Sequence, residues 1–175
     1  MAFTSSLTAG QRAERKMLIT VAEWSESGSE SPKRVILGRR TEDSSIEFNA
    51  DIETSTDILG INYSDINKTQ PQQTFDPAYI IGGDDFMSYL LSAAMENNIA
   101  AYNGKFTVYI IAAWLADTGK YYAVKHSECS IIPESLGGES YAGMPFTVYF
   151  SNNITKGSVD KLSNDFIFTA DGASV

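Results

Sequence analysis

Between Ser44 and Gly60 the chain reads SSIEFNADIETSTDILG, and apolar and polar residues alternate along it. Ile46, Phe48, Ala50 and Ile52 take one parity; Glu47, Asn49, Asp51 and Glu53 take the other, followed by Ser55 and Asp57. A period of two predicts a strand, here over Ile46–Thr54, with the apolar row on a core and the carboxylate row facing away from it. Further strands are predicted at Met17–Trp24, at Lys33–Arg40 (weakened by Gly38) and on both sides of Pro71 within Ile61–Pro77. Lys105–Leu115 is apolar on both parities, as a strand covered on two faces would be. The turn ADTGK leads back into a strand over Tyr121–Ile132, followed by Pro145–Ser151 and Asp165–Ala170.

One segment has a helical period. Gly82-Gly83 breaks the preceding strand, Asp84 is placed to cap a helix, and Asp85 favours its positive end. Met87, Leu90, Leu91, Ala94 and Met95 form a stripe read as core packing, and Asn97-Asn98 ends the helix, predicted over 84–98. Residues 1–16 read as a flexible polar arm, 17–170 as a single β domain and 171–175 as a tail; Ser25–Pro32 is a Ser/Glu loop and Pro133–Gly143 a glycine-rich connection. Many strands and one helix predict a mainly β fold, a β-sandwich or partly open barrel with one flanking α-helix.

The 175 residues suffice for one domain with one core. No stretch approaches the roughly 20 apolar residues of a membrane helix, and no leader-like apolar region opens the chain, so synthesis in a cytosol and no membrane anchor are expected. Cys129 is the single cysteine, which excludes an intrachain disulfide. The net charge of −9 is divided unevenly. Residues 1–41 carry seven Lys/Arg and four Glu, or +3; residues 42–175 carry six Lys and eighteen acids, or −12. An acidic body does not hold nucleic acid, because that affinity comes from neutralising phosphates. A basic N-terminal part could attract the acidic body of a second copy; the plainer reading is a solvated surface.

Candidate chemistry is sparse. Gly-Asp-Asp within GGDD reads as a helix start. His126 and Cys129 are the only residues of their types, where a structural zinc site needs about four ligands. Three apart on a strand, they are expected on opposite faces, with Cys129 buried and His126 on the surface or an edge. No nucleophile elbow or Walker lysine is present. Glu47, Asp51 and Glu53 could in principle supply paired carboxylates for acid/base work, but no cleft is legible around them. No catalytic, cofactor-binding or metal-ligating residue is assigned.

DIETSTDILGINYSDINKTQPQQTFDP, YIIGGDDF, and KHSECSIIPESLGGESYAGMPFTVYFSNNITKG resemble major tail tube proteins of bacteriophages with long non-contractile tails. The resemblance covers roughly residues 33–157 and is one of overall order, since such proteins have no active site; the loop at 25–32 departs from it. It implies a structural virion protein that joins itself into rings of six, stacked into a tube assembled in the host bacterial cytoplasm. DNA passes through the lumen without tight binding. The tape-measure, tail-terminator and distal tail proteins would be partners. A contractile-tail or tailocin tube shares the implied fold.

On this reading Glu47, Asp51, Glu53 and Asp57 are expected to face the lumen, where they repel DNA phosphates, and Lys33, Arg34, Arg39 and Arg40 are expected to contact a neighbouring copy. The alternatives are a monomeric β-sandwich binding or adhesion module of the carbohydrate-binding type and, below it, a small hydrolase.

Overall fold

A computed structural model describes residues 3–26, 31–41 and 44–172. The middle of the Ser/Glu loop (27–30) and the end of the tail (173–175) lie outside the described residues. The protein is mainly β, with a large antiparallel sheet and one substantial helix, consistent with a sandwich flanked by a helix.

The centre is a hairpin of two long strands, β8 (Phe106–Asp117) and β9 (Lys120–Pro133). To name the rest in chain order, β1 is Thr4–Ser5, β2 Leu18–Trp24, β3 Lys33–Ile36, β4 Ile46–Glu47, β5 Ala50–Thr56, β6 Asn62–Thr69 and β7 Gln72–Phe75. Helices α1 (Asp85–Met95) and α2 (Ile99–Tyr102) precede β8; β10 (Phe146–Tyr149), β11 (Ile154–Val159) and β12 (Phe168–Ala170) follow β9. On one side β8 continues to β2 and β3. On the other, β9 changes partner along its length: Tyr121–His126 pair with β11, and Ser130–Pro133 pair with β10, which leads to β7 and β4. The two wings therefore share β9 and diverge from it. Thr4 and Ser5 pair with Ala116 and Leu115, so the N-terminal segment is tied to the body there.

The divergence occurs at a bulge. Phe106 and Val108 on β8 stand opposite Cys129 and His126 on β9, two residues against three, and Glu128 has a positive φ of 61°. The extra residue shifts the parity, so His126 and Cys129 both lie buried, opposite two residues of one face. The expectation of opposite faces, with His126 on the surface, is corrected by this bulge. The His126 ring packs 5.1 Å from Phe150, and its Nδ1 is 3.0 Å from the Ser151 carbonyl oxygen.

Alternation along β2 and β8 explains two cores. Ala22, Trp24, Phe106 and Val108 join Phe75, Phe146, Val148, Ile131 and Cys129 between the wings. Helix α1 closes this core with Phe86, Met87 and Leu90; the Phe86 ring lies 5.3 Å from Trp24 and 5.6 Å from Phe146. The opposite parity, Val21, Tyr109 and Ile111, meets Ala123, Val159 and Phe166. Lys105–Leu115 is thus covered on both faces, as its composition requires. A buried polar chain also joins the wings: Thr20 Oγ1 donates to Gln73 Oε1 (2.9 Å), Gln73 Nε2 to Ser44 Oγ (3.1 Å), and Ser44 Oγ to the Thr74 carbonyl (2.7 Å).

The helix starts where expected: Asp84 accepts a hydrogen bond from the Met87 N–H (3.0 Å). Its buried face is centred on Phe86, Leu90 and Ala93, so Met95, assigned to the stripe, is exposed. Asn97, with φ of 50°, ends the first helix, and the short α2 follows.

Candidate functional site: an unsupported hairpin and its acidic face

The predicted strand over Ile46–Thr54 is two strands. Ile46 and Glu47 pair with Gln73 and Gln72 at the edge of the second wing, and Ile46 packs on the core. The chain then leaves the sheet at Phe48-Asn49, where Asn49 takes a left-handed φ of 43°, a conformation Asn tolerates better than most residues. From Ala50 it pairs only with β6, forming a separate two-stranded sheet. Every residue of β5 and β6 is exposed. The expected role of Phe48, Ala50 and Ile52 in holding the strand on the core is therefore corrected: Phe48 is 68% and Ile52 58% exposed. Alternation reads a strand's two faces but not what lies against either.

Seven or eight residues at about 3.3 Å each make a hairpin about 25 Å long. One face carries Asp51 opposite Lys68, Glu53 opposite Asp65, and Ser55 opposite Tyr63. The other carries Ile52 opposite Ile66, flanked by Ala50, Thr69, Thr54, Ser64, Thr56 and Asn62. The register shift beside Asp51/Ile52 leaves Asn67 as the extra residue, and its amide donates to Glu53 Oε2 (3.3 Å). Glu53 and Asp65 are like charges directly opposed, an arrangement that weakens an isolated hairpin. Asp65 escaped the sequence reading because only the cross-strand register places it on the acidic face.

The tip is apolar. Ile58, Leu59 and Ile61 are all exposed, Ile58 fully so. Asp57 shapes this turn: Oδ1 accepts from the N–H groups of Leu59 (2.8 Å) and Ile61 (2.9 Å), and Oδ2 accepts from the Tyr63 hydroxyl (3.1 Å). The Ile61 N–H above all, with that of Leu59 and the Tyr63 hydroxyl, holds its carboxyl below the usual range. Asp57 therefore stays ionised, but its oxygens serve the turn. Glu47 lies nearer the body, where it accepts from Gln72 Nε2 (3.2 Å).

The four basic candidates divide into two pairs. Arg34 is built into the body: Nε bonds Glu23 Oε2 (2.5 Å), Nη1 donates to the Phe166 carbonyl (2.6 Å), and the guanidinium lies 4.6 Å from the Phe166 ring centroid. Tyr109 donates to the same Glu23 oxygen (3.2 Å); burial first, then the Glu23 charge, pushes its hydroxyl up to about 12. Lys33 bridges Glu26 (2.9 Å) and Asp85 (3.4 Å). Arg39 and Arg40 are exposed and pair with no acid among the described residues.

Among the described residues no group of three or more His, Cys, Asp or Glu is arranged to hold a metal. None of Glu47, Asp51, Glu53 and Asp57 lines either of two surface grooves, of about 450 and 550 Å³. No helix among the described residues is long and apolar enough to cross a membrane. No known family model and no curated protein matches the chain.

Proposed function

We propose that the protein is a structural subunit that assembles with copies of itself into stacked rings, six subunits to a ring, forming the tail tube of a long-tailed bacteriophage. The observation that carries this reading is the β5–β6 hairpin, exposed on both faces and along both edges. A two-stranded hairpin is marginal in water, and unpaired edges with exposed Ile and Phe are a liability unless something covers them. Here the two faces differ: one offers Ile52 and Ile66 for burial, the other presents Asp51, Glu53 and Asp65.

In a ring, the apolar face and the edges meet neighbouring copies, and the acidic face, with Glu47 and Asp57, lines the lumen. Repulsion between these carboxylates and DNA phosphates keeps the polyanion sliding. Arg39 and Arg40, unpaired within the described chain, meet a neighbour, while Lys33 and Arg34 serve the subunit's own fold. Negative-stain imaging of the concentrated full chain tests the reading. Rings or hollow tubes are expected, and reversal of Arg39 and Arg40 to Glu should suppress them without unfolding the monomer. Tubes bearing Asp51 and Glu53 on the outer wall would defeat the lumen assignment.

A carbohydrate-binding module is the second reading. It is favoured by Tyr79 and Tyr141, exposed and 6.5 Å apart beside the 550 Å³ groove. A monomer at all concentrations, with glycan binding lost on Tyr141→Ala, would support it over the tube.

A further inference from the structure

The groove of about 550 Å³ lies beside the glycine-rich connection between β9 and β10. Two exposed tyrosines line it: Tyr79, shortly after β7, and Tyr141, within the connection. Their ring centroids are 6.5 Å apart and their planes meet at 82°. The backbone fixes this corner. Gly137 and Gly143 close the loop by exchanging hydrogen bonds of 3.0 and 2.7 Å. The loop is pinned to the chain on both sides of Tyr79: the Ile80 N–H donates to the Ala142 carbonyl (3.0 Å), and the Met144 N–H to the Ala78 carbonyl (2.7 Å). Gly138 permits the closure, because a Cβ there would come within 2.1 Å of the Tyr141 carbonyl oxygen. The Tyr141 backbone is thus in place before any ligand arrives, which lowers the ordering cost of binding.

The groove also has a sign. Asp76 and Glu139 line it, and neither is in an ion pair among the described residues. No Lys, Arg or His contributes to its lining; Arg39 lines the other groove, which shares Ala78 and Tyr79 with this one. We propose that the groove binds an organic cation of the quaternary-ammonium class. Its methylated head sits in the corner between Tyr79 and Tyr141, and Asp76 and Glu139 balance its charge. Aromatic faces attract such a head through their quadrupole, and the carboxylates add attraction without requiring the N–H donors that a quaternary nitrogen lacks. The proposal is independent of the tube reading, and it differs from the carbohydrate reading in requiring a positive charge on the ligand.

Ligand-observed NMR of choline with the full chain tests this. Saturation transfer to the choline methyl protons is expected, with a Kd on the order of 1 mM. Neohexyl alcohol, the neutral carbon isostere of choline, should bind about tenfold more weakly. Tyr141→Ala should abolish the signal, Tyr141→Phe should keep it, and Asp76→Asn with Glu139→Gln should weaken binding about fivefold. All three side chains are exposed, so these changes spare the core. Co-sedimentation with phosphatidylcholine vesicles would assign the head to a lipid, and a chain that binds choline but stays in the supernatant would assign it to a free solute. No choline binding, equal binding of the neutral isostere, binding of methyl glucoside in place of choline, or choline binding unchanged by Tyr141→Ala would overturn the proposal and leave the tube reading intact.

Discussion

The body and the β5–β6 hairpin follow the same alternating rule and reach opposite outcomes. In β8 both parities are buried: Phe106 and Val108 on one core, Tyr109 and Ile111 on the other. In β5 neither is, although its pattern is the cleaner of the two. The difference lies in what surrounds each strand. β8 has β2 and β9 at its sides and covering layers above and below, whereas β5 has β6 alone. The body is packed on itself, and the hairpin is the part of the fold that no other described segment covers.

Substitutions in the two regions should separate accordingly. Phe106→Ala, fully buried against Phe86 and Tyr89, should cost about 3–5 kcal/mol in denaturant unfolding of the monomer. Arg34→Ala should cost about 2–3 kcal/mol, because it leaves Glu23 largely buried without its cation. Arg39→Ala, at an exposed position with no acid partner among the described residues, should stay within about 0.5 kcal/mol of the parent. If Arg34 and Arg39 behaved alike, the division between fold and assembly cations would be wrong.

Tyr109 sharpens the same point through pH. Its hydroxyl titrates higher in the folded chain than in the unfolded one, so the unfolded state loses its proton first as pH rises. The associated stability is whole below pH about 10, declines up to about 12, and amounts to on the order of 2 kcal/mol. Tyr109→Phe should remove that alkaline decline in unfolding titrations. At the small end, Ile52→Ser with Ile66→Ser should change monomer stability by less than about 1 kcal/mol and still abolish rings. A large loss in the monomer would mean that the hairpin already packs on the body.

Much of this architecture was legible in the chain. The helix could be placed from Asp84, the glycine pair and the apolar spacing, because local capping and one-sided burial both leave marks in sequence. β8 was legible because burial on two faces leaves apolar residues on both parities, and the turn ADTGK marked the return into β9. Three features were not. A single left-handed residue, Asn49, divides the acidic strand and moves it off the core. A single extra residue near Glu128 turns His126 inward. β11, reading ITKGSV, has a polar centre and a glycine that carry no strand signal. The structure explains that glycine: a Cβ at Gly157 would come within 2.3 Å of the Thr169 carbonyl oxygen on β12. The acidic face was visible by parity, but Asp65 joined it only through cross-strand register, and the apolar tip gains meaning only once its exposure is seen.

Hydrogen exchange of the full chain, followed as concentration is raised through assembly, tests the central claim most directly. In dilute protein the amides of 50–56 and 62–69 should exchange nearly as fast as in an open chain, while those of β8 and β9 stay protected. On assembly the hairpin amides should gain protection and the body should change little. Hairpin amides already protected in the monomer, or still unprotected in assembled material, would contradict the account.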